Sequence, residues 1–179
     1  MKKITGGVTA AKGFLATATA AEIKYKNRDD MALVYSEVPA KAAGVFTRNV
    51  VKAAPVKWDI NIVAKEEKAQ AVVLNSGIAN AGTGSEGDKI NEAMAQEVSN
   101  VLQIPLHSVL TASTGVIGMQ IPIERAKDGI TKMAGTLSDT LESGNHAAKA
   151  IMTTDTICKE CAVEFTIQDK TITVGGMSK

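Results

Sequence analysis

The chain has 179 residues, enough for one domain with a sizeable core. Its 20 basic residues balance 19 acidic ones, and aromatics make up only 3%. That balance gives no electrostatic reason to expect nucleic acid or an anionic membrane, and so few aromatics argue against base-stacking platforms. No apolar run approaches the ~20 residues of a bilayer span, and Lys2-Lys3 is followed by no apolar h-region. A cytoplasmic protein without a signal peptide is expected.

In chain order, Gly6–Phe14 is a glycine-punctuated lead-in. Leu15–Tyr25 is rich in Ala and Thr, and Asn27–Asp30 is a polar turn. Met31–Ser36 reads as a buried strand broken by Pro39, and Ala42–Thr47 as the next strand. Arg48 and Lys52 fit carboxylate binding, but solvated strand ends fit slightly better. Asp59–Lys68 is expected to be a short helix with a charged end.

Ala71–Leu74 is a short apolar strand feeding Asn75–Gly84, a loop of Asn, Gly and small residues. Its amides could serve a substrate's donors and acceptors, or simply build tight turns. Gly82-x-Gly84-x-x-Gly87 matches the letters of a dinucleotide fingerprint but starts too far after the strand to carry weight. Ser85, with Asp88 three residues on, predicts a capped helix, and Ile90, Ala93, Met94, Val98, Val101 and Leu102 form its apolar face up to Pro105.

His107–Leu110 is β-prone and leads into Thr111-Ala112-Ser113-Thr114-Gly115-Val116-Ile117-Gly118. Small hydroxyl residues and glycines between a strand and a helix let backbone approach a ligand. Thr114 and Gly115 offer a neighbouring hydroxyl and N–H, the donor pair an oxyanion hole needs. On these eight residues alone an ordinary Gly/Ser/Thr loop is the better reading; the rest of the chain reverses it. A second helix is expected from Pro122, with Ile123, Ala126, Ile130, Met133, Ala134, Leu137 and Leu141 on one face, ended by Ser143-Gly144-Asn145. His146 has no acidic partner in sequence and suits the surface.

Met152–Thr156 places three threonines around Asp155, a pattern that caps a helix or holds a ligand. Cys158 and Cys161 form a single C-x-x-C running into a strand, so two reduced thiols fit better than a zinc or redox site. Ala162–Ile167 and Thr171–Val174 alternate around Gln168–Lys170 as a hairpin. Gly175–Lys179 looks like the start of a functional loop.

Six of these stretches, in order, resemble the α chain of the ornithine acetyltransferase family (bifunctional glutamate N-acetyltransferases of arginine synthesis). They are Gly6–Phe14, Ala43–Asn49, Asn75–Gly84, Ser113–Gly118, Ile151–Thr156 and Val174–Lys179. The asparagine loop departs from the pattern, with Gly82 where many relatives have Cys. The resemblance implies an α/β fold, a layered sandwich of β-sheets flanked by helices, completed by a β chain. It implies that residues 1–179 form a single domain, the α chain of a self-cleaved precursor, whose β chain starts with the nucleophilic threonine. The implied assembly is two α and two β chains. The implied reaction moves acetyl from N-acetylornithine to glutamate through an acetyl-threonine. No cofactor is implied, with acetyl-CoA a co-substrate in some members. Thr114 and Gly115 match the family's oxyanion hole, and Thr153 and Lys179 its substrate contacts. A lysine can hold an α-carboxylate as a point charge. An aminopeptidase of the same architecture and a non-catalytic amino-acid-binding subunit are the rival readings.

Overall fold

The computed structural model describes residues 1–65 and 68–179. Four strands make the main sheet: β2 (Phe14–Thr19), β3 (Met31–Lys41), β4 (Lys68–Ile78) and β5 (Val109–Val116). β2, β3 and β4 run antiparallel in that order, and β5 pairs parallel to β4 at the edge. A smaller sheet orders β1 (Lys2–Ile4), β6 (Lys159–Ile167) and β7 (Lys170–Ser178), all antiparallel. The helices are α1 (Ala54–Lys65), α2 (Gly84–Leu102), α3 (Ile123–Ala134) and α4 (Leu141–Ala150). This is the expected layered α/β sandwich. Among the described residues no helix is long and apolar enough to cross a membrane.

Alternation along β3 explains the layers. Met31 and Leu33 point to one face, where they pack with Val73, Val109, Met94 and Val98 of α2, and Ile130 and Met133 of α3. Ala32 points to the other face, against Ala16, Ala147, Ala150 and Ile151, with Leu74 and Met177 at the margin. Small alanines on both sides let α4 lie close to the sheet. Met177 brings β7 to the same cluster, so α4 joins the main sheet to the end of the smaller one.

Several expectations from sequence are corrected. β3 runs through Pro39, because its register shifts between Tyr35 and Ala40, where no regular ladder bond is required of a proline. Residues 42–53 form no strand: Val45 is 99% exposed and Val50 95%, and without a partner strand β-propensity does not suffice. α1 starts earlier than read, at Ala54 with Pro55 in its first turn; of the charged end read there, residues 66 and 67 lie outside the described residues.

The expected cap at Ser85 is absent. α2 starts at Gly84 after Thr83, whose hydroxyl bonds Asn80 Oδ1 at 2.8 Å instead of capping the helix. The predicted helix from Ile123 to Leu141 is two helices. Thr140 Oγ1 accepts the Ser143 N–H at 3.2 Å and starts α4, so Ser143–Asn145 lie within a helix. The β6–β7 hairpin forms as expected. Gln168 and Asp169 at its turn both have positive φ, 47° and 63°, which suits the strands' twist. β7 then continues through Gly175–Ser178, the stretch read as a loop.

Candidate active site

The octapeptide read as a loop is largely strand. Thr111–Val116 lie in β5, and the parallel ladder pairs Ser113 with Asn75, Thr114 with Ser76 and Gly115 with Gly77. Ladder hydrogen bonds to β4 outweigh the local preference of Ser, Thr and Gly for turns. The carboxyl ends of parallel strands are where open α/β sheets place their ligands. Gly115 has φ +137°, and a Cβ there would lie 2.1 Å from the Gly77 carbonyl carbon. Only a hydrogen fits, so the backbone of β5 presses against β4 at the position that follows Thr114.

The asparagine loop is structural. Asn75 is buried; it accepts from Ser113 Oγ at 2.6 Å and donates to the Ile78 carbonyl at 2.9 Å. Asn80, also buried, donates to the Gly87 carbonyl at 2.9 Å and accepts from Thr83. Their amides hold backbone in place, and the tight-turn reading of Asn75–Gly84 is the one the geometry favours. Gly87 lies in α2, where a Cβ would meet the side chains of Thr83 and Asn80, so its lack of a side chain packs the helix against this loop.

Ser76, the neighbour of Thr114, donates from Oγ to the Ala150 carbonyl at 2.7 Å. That bond sets the end of α4, and with it Ile151, beside β5. A cavity of about 240 Å³ opens there, lined by Ala112, Ser113 and Thr114 of β5, Ile151, and Met177, Ser178 and Lys179 at the end of β7. Thr114 and Lys179, 65 residues apart, thus share one space. A hollow of about 620 Å³ lies by Lys2–Gly6, Glu160 and Cys161, but none of the predicted site residues lines it.

Thr153 and Gly115 are not among the residues that line the cavity shared by Thr114 and Lys179; Thr153 is tied to Lys179 through Asp155. The Thr153 N–H donates to Asp155 Oδ2 at 3.2 Å, and Lys179 Nζ sits 3.0 Å from the same oxygen. Lys159 Nζ donates to Oδ1 at 2.7 Å. Hydrogen bonds from Lys159, Lys179 and the Thr153 N–H hold the Asp155 carboxyl well below the usual carboxylate range. Arg28 donates to the Met152 carbonyl, and its guanidinium lies 4.5 Å from the centre of the Tyr25 ring. Lys159 was missed in sequence; its only signal was lying four residues from Asp155.

The remaining candidates stand apart. Arg48 is exposed, as the solvated reading has it. His146 is exposed, 3.9 Å from Glu142 Oε1. Cys158 and Cys161 are free thiols, and burial pushes the Cys158 thiol up.

The family model described as the ArgJ family matches residues 15–179. The arginine biosynthesis bifunctional protein ArgJ of Gloeobacter violaceus is 46% identical over 98% of this chain and 43% of its own length. The protein of that name in Caldanaerobacter subterraneus subsp. tengcongensis is 46% identical over 100% of this chain and 43% of its own. The chain therefore spans less than half the length of these curated relatives. Among solved structures, ArgJ of Bacillus halodurans superposes with a TM-score of 0.94 at 40% identity, covering 98% of this chain and 91% of that one. Ornithine acetyltransferase of Mycobacterium tuberculosis, complexed with ornithine, gives 0.91 at 41% identity, covering 97% and 91%.

Proposed function

The chain belongs to the ArgJ family, and on that footing we propose that it is the α subunit of a glutamate N-acetyltransferase of arginine biosynthesis. The enzyme moves acetyl from N-acetylornithine to glutamate. Residues 1–179 act as one domain, paired in the cytoplasm with a β chain cut from the same precursor, two of each. The relatives' names and the ornithine complex of the Mycobacterium tuberculosis enzyme support the substrate class. The observation that carries the reading is the cavity shared by Thr114 and Lys179 at the carboxyl end of β5. A hydroxyl at one wall and an ammonium at the other suit an acetylated amino acid.

In this mechanism the hydroxyl of the β-chain's first threonine attacks the acetyl carbon, and its proton passes to the free α-amine of the same residue. The Thr114 hydroxyl and Gly115 N–H receive the negative charge developing on the acetyl oxygen. The C–N bond then breaks, the departing amine takes the proton, and ornithine leaves an acetyl-threonine ester. The glutamate amine attacks that ester, and the threonine hydroxyl regains its proton. Lys179, with Thr153, holds the α-carboxylate common to donor and acceptor.

The test is the intact mass of the denatured enzyme, made from the complete precursor, before and after N-acetylornithine. A second chain beginning with threonine and gaining one acetyl group is expected. A second chain that never acetylates, yet hydrolyses small peptide amides, would overturn the reading in favour of a peptidase. Absence of any second chain would remove the nucleophile and the proposal with it.

A further inference from the structure

We propose that Lys159, Asp155 and Lys179 work as one carboxylate-receiving unit, in which Asp155 is the positioning residue for Lys179 and Lys159 keeps the unit's net charge at +1. This rests on the acetyl-transfer reading and adds two residues to it.

The geometry separates their tasks. Asp155 gives one oxygen to each lysine: Oδ1 to Lys159 at 2.7 Å, and Oδ2 to Lys179 at 3.0 Å. Oδ2 also takes the Thr153 N–H at 3.2 Å, so one carboxylate orients both proposed substrate contacts. The carboxylate is the covered member: its side chain is 11% exposed, against 25% for Lys179 and 53% for Lys159. Of the three only Lys179 lines the cavity. An ammonium has three donors, so Lys179 keeps two after bonding Asp155 and can offer them to a ligand.

Charge decides what Lys159 contributes. An Asp155–Lys179 pair alone is neutral, and an arriving α-carboxylate would have to compete with Asp155 for the only cation. Lys159 satisfies the other oxygen of Asp155 and leaves one uncompensated positive charge beside the cavity. Its place is fixed by the sheet, because Lys159 opens β6 directly across from Ser178, the residue before Lys179. An isolated surface ion pair would contribute little. Here two cations share one largely covered carboxylate, and one of them, Lys179, lines the space that also holds Thr114.

The experiment uses the complete α/β enzyme. The readouts are KM for N-acetylornithine and the inhibition constants of ornithine and of putrescine, which is ornithine without its carboxylate. Lys159→Met is expected to raise KM for N-acetylornithine about tenfold, with the change in KM rather than kcat, and to leave putrescine inhibition where it was. Lys159→Arg should restore KM. Asp155→Ala should erase the preference for ornithine over putrescine and lower kcat even though it removes a negative charge, because Thr153 and Lys179 both lose their common acceptor. Turnover by the unaltered enzyme reports on acetyl transfer itself, so the two readings fail separately. The proposal is overturned if Lys159→Met leaves KM unchanged, if it weakens ornithine and putrescine alike, or if Asp155→Ala keeps the wild-type preference.

Discussion

Replacing Gly115 by alanine should disrupt the site through the backbone. Two costs apply. The residue has φ +137°, a conformation that L residues rarely adopt, which costs about 1–2 kcal/mol. In addition, the new Cβ would lie 2.1 Å from the Gly77 carbonyl carbon, 2.3 Å from its oxygen and 2.5 Å from the Ile78 nitrogen. All three are main-chain atoms of the paired strand, so no side chain can swing aside. The last rungs of the β4–β5 ladder must part, adding about 1–3 kcal/mol. Gly118 isolates the first cost: its φ is +81°, but a Cβ there meets nothing within 4 Å. At about 2–4 °C per kcal/mol, Gly118→Ala should lower Tm by about 4 °C and Gly115→Ala by about 10 °C. Calorimetry of the two variants, with amide exchange at Ile78, measures both. Equal losses of Tm, with Ile78 exchange unchanged in Gly115→Ala, would refute the steric argument.

Two further predictions concern charge. Thr114→Ala should slow acetylation of the β-chain threonine by about 10²–10³ in a rapid-quench mass assay, with Tm unchanged; full speed in a correctly processed variant would remove Thr114 from the oxyanion hole. Asp59 accepts the Thr111 N–H at 3.0 Å between α1 and β5, and burial pushes its carboxyl up to about 6. The folded state therefore binds this proton more tightly than the unfolded chain. The resulting stability is fully present below about pH 4 and is lost as pH rises through about 6. Asp59→Asn keeps an acceptor for Thr111 but carries no charge, so its stability relative to wild type should grow between about pH 4 and pH 7, by at most about 3 kcal/mol. A difference in Tm that stays constant over that range would show that burial of Asp59 is not coupled to its charge.

Local pattern went far where one element answers to its own period. The apolar face of α2 and the β6–β7 hairpin were legible, because a helix stripe or a two-residue turn is encoded within a few positions. The four proposed site positions rest on resemblance, since hydroxyls and glycines in sequence are as common in loops as in sites. Where pairing decided the outcome, local reading failed. Thr111–Val116 looked like a loop and became strand, because β4 supplied a parallel partner. Ala42–Thr47 looked like a strand and stayed unpaired, because nothing supplied one.

The sequence by itself determined the composition of the layers: alternation in β3 and the stripes of α2 and α3 leave few ways to bury Met31, Leu33, Met94 and Ile130 together. It also places a hydroxyl and an unhindered N–H side by side at Thr114 and Gly115. The tertiary structure alone decided what they face. Ser76 bonding the end of α4, and Met177 packing into the alanine cluster, bring Ile151 and Lys179 to the end of β5. Those contacts join residues tens of positions apart, and no local period encodes them. The Lys159–Asp155–Lys179 unit exists because the β6–β7 ladder sets Lys159 across from Ser178, a register fixed by strand pairing.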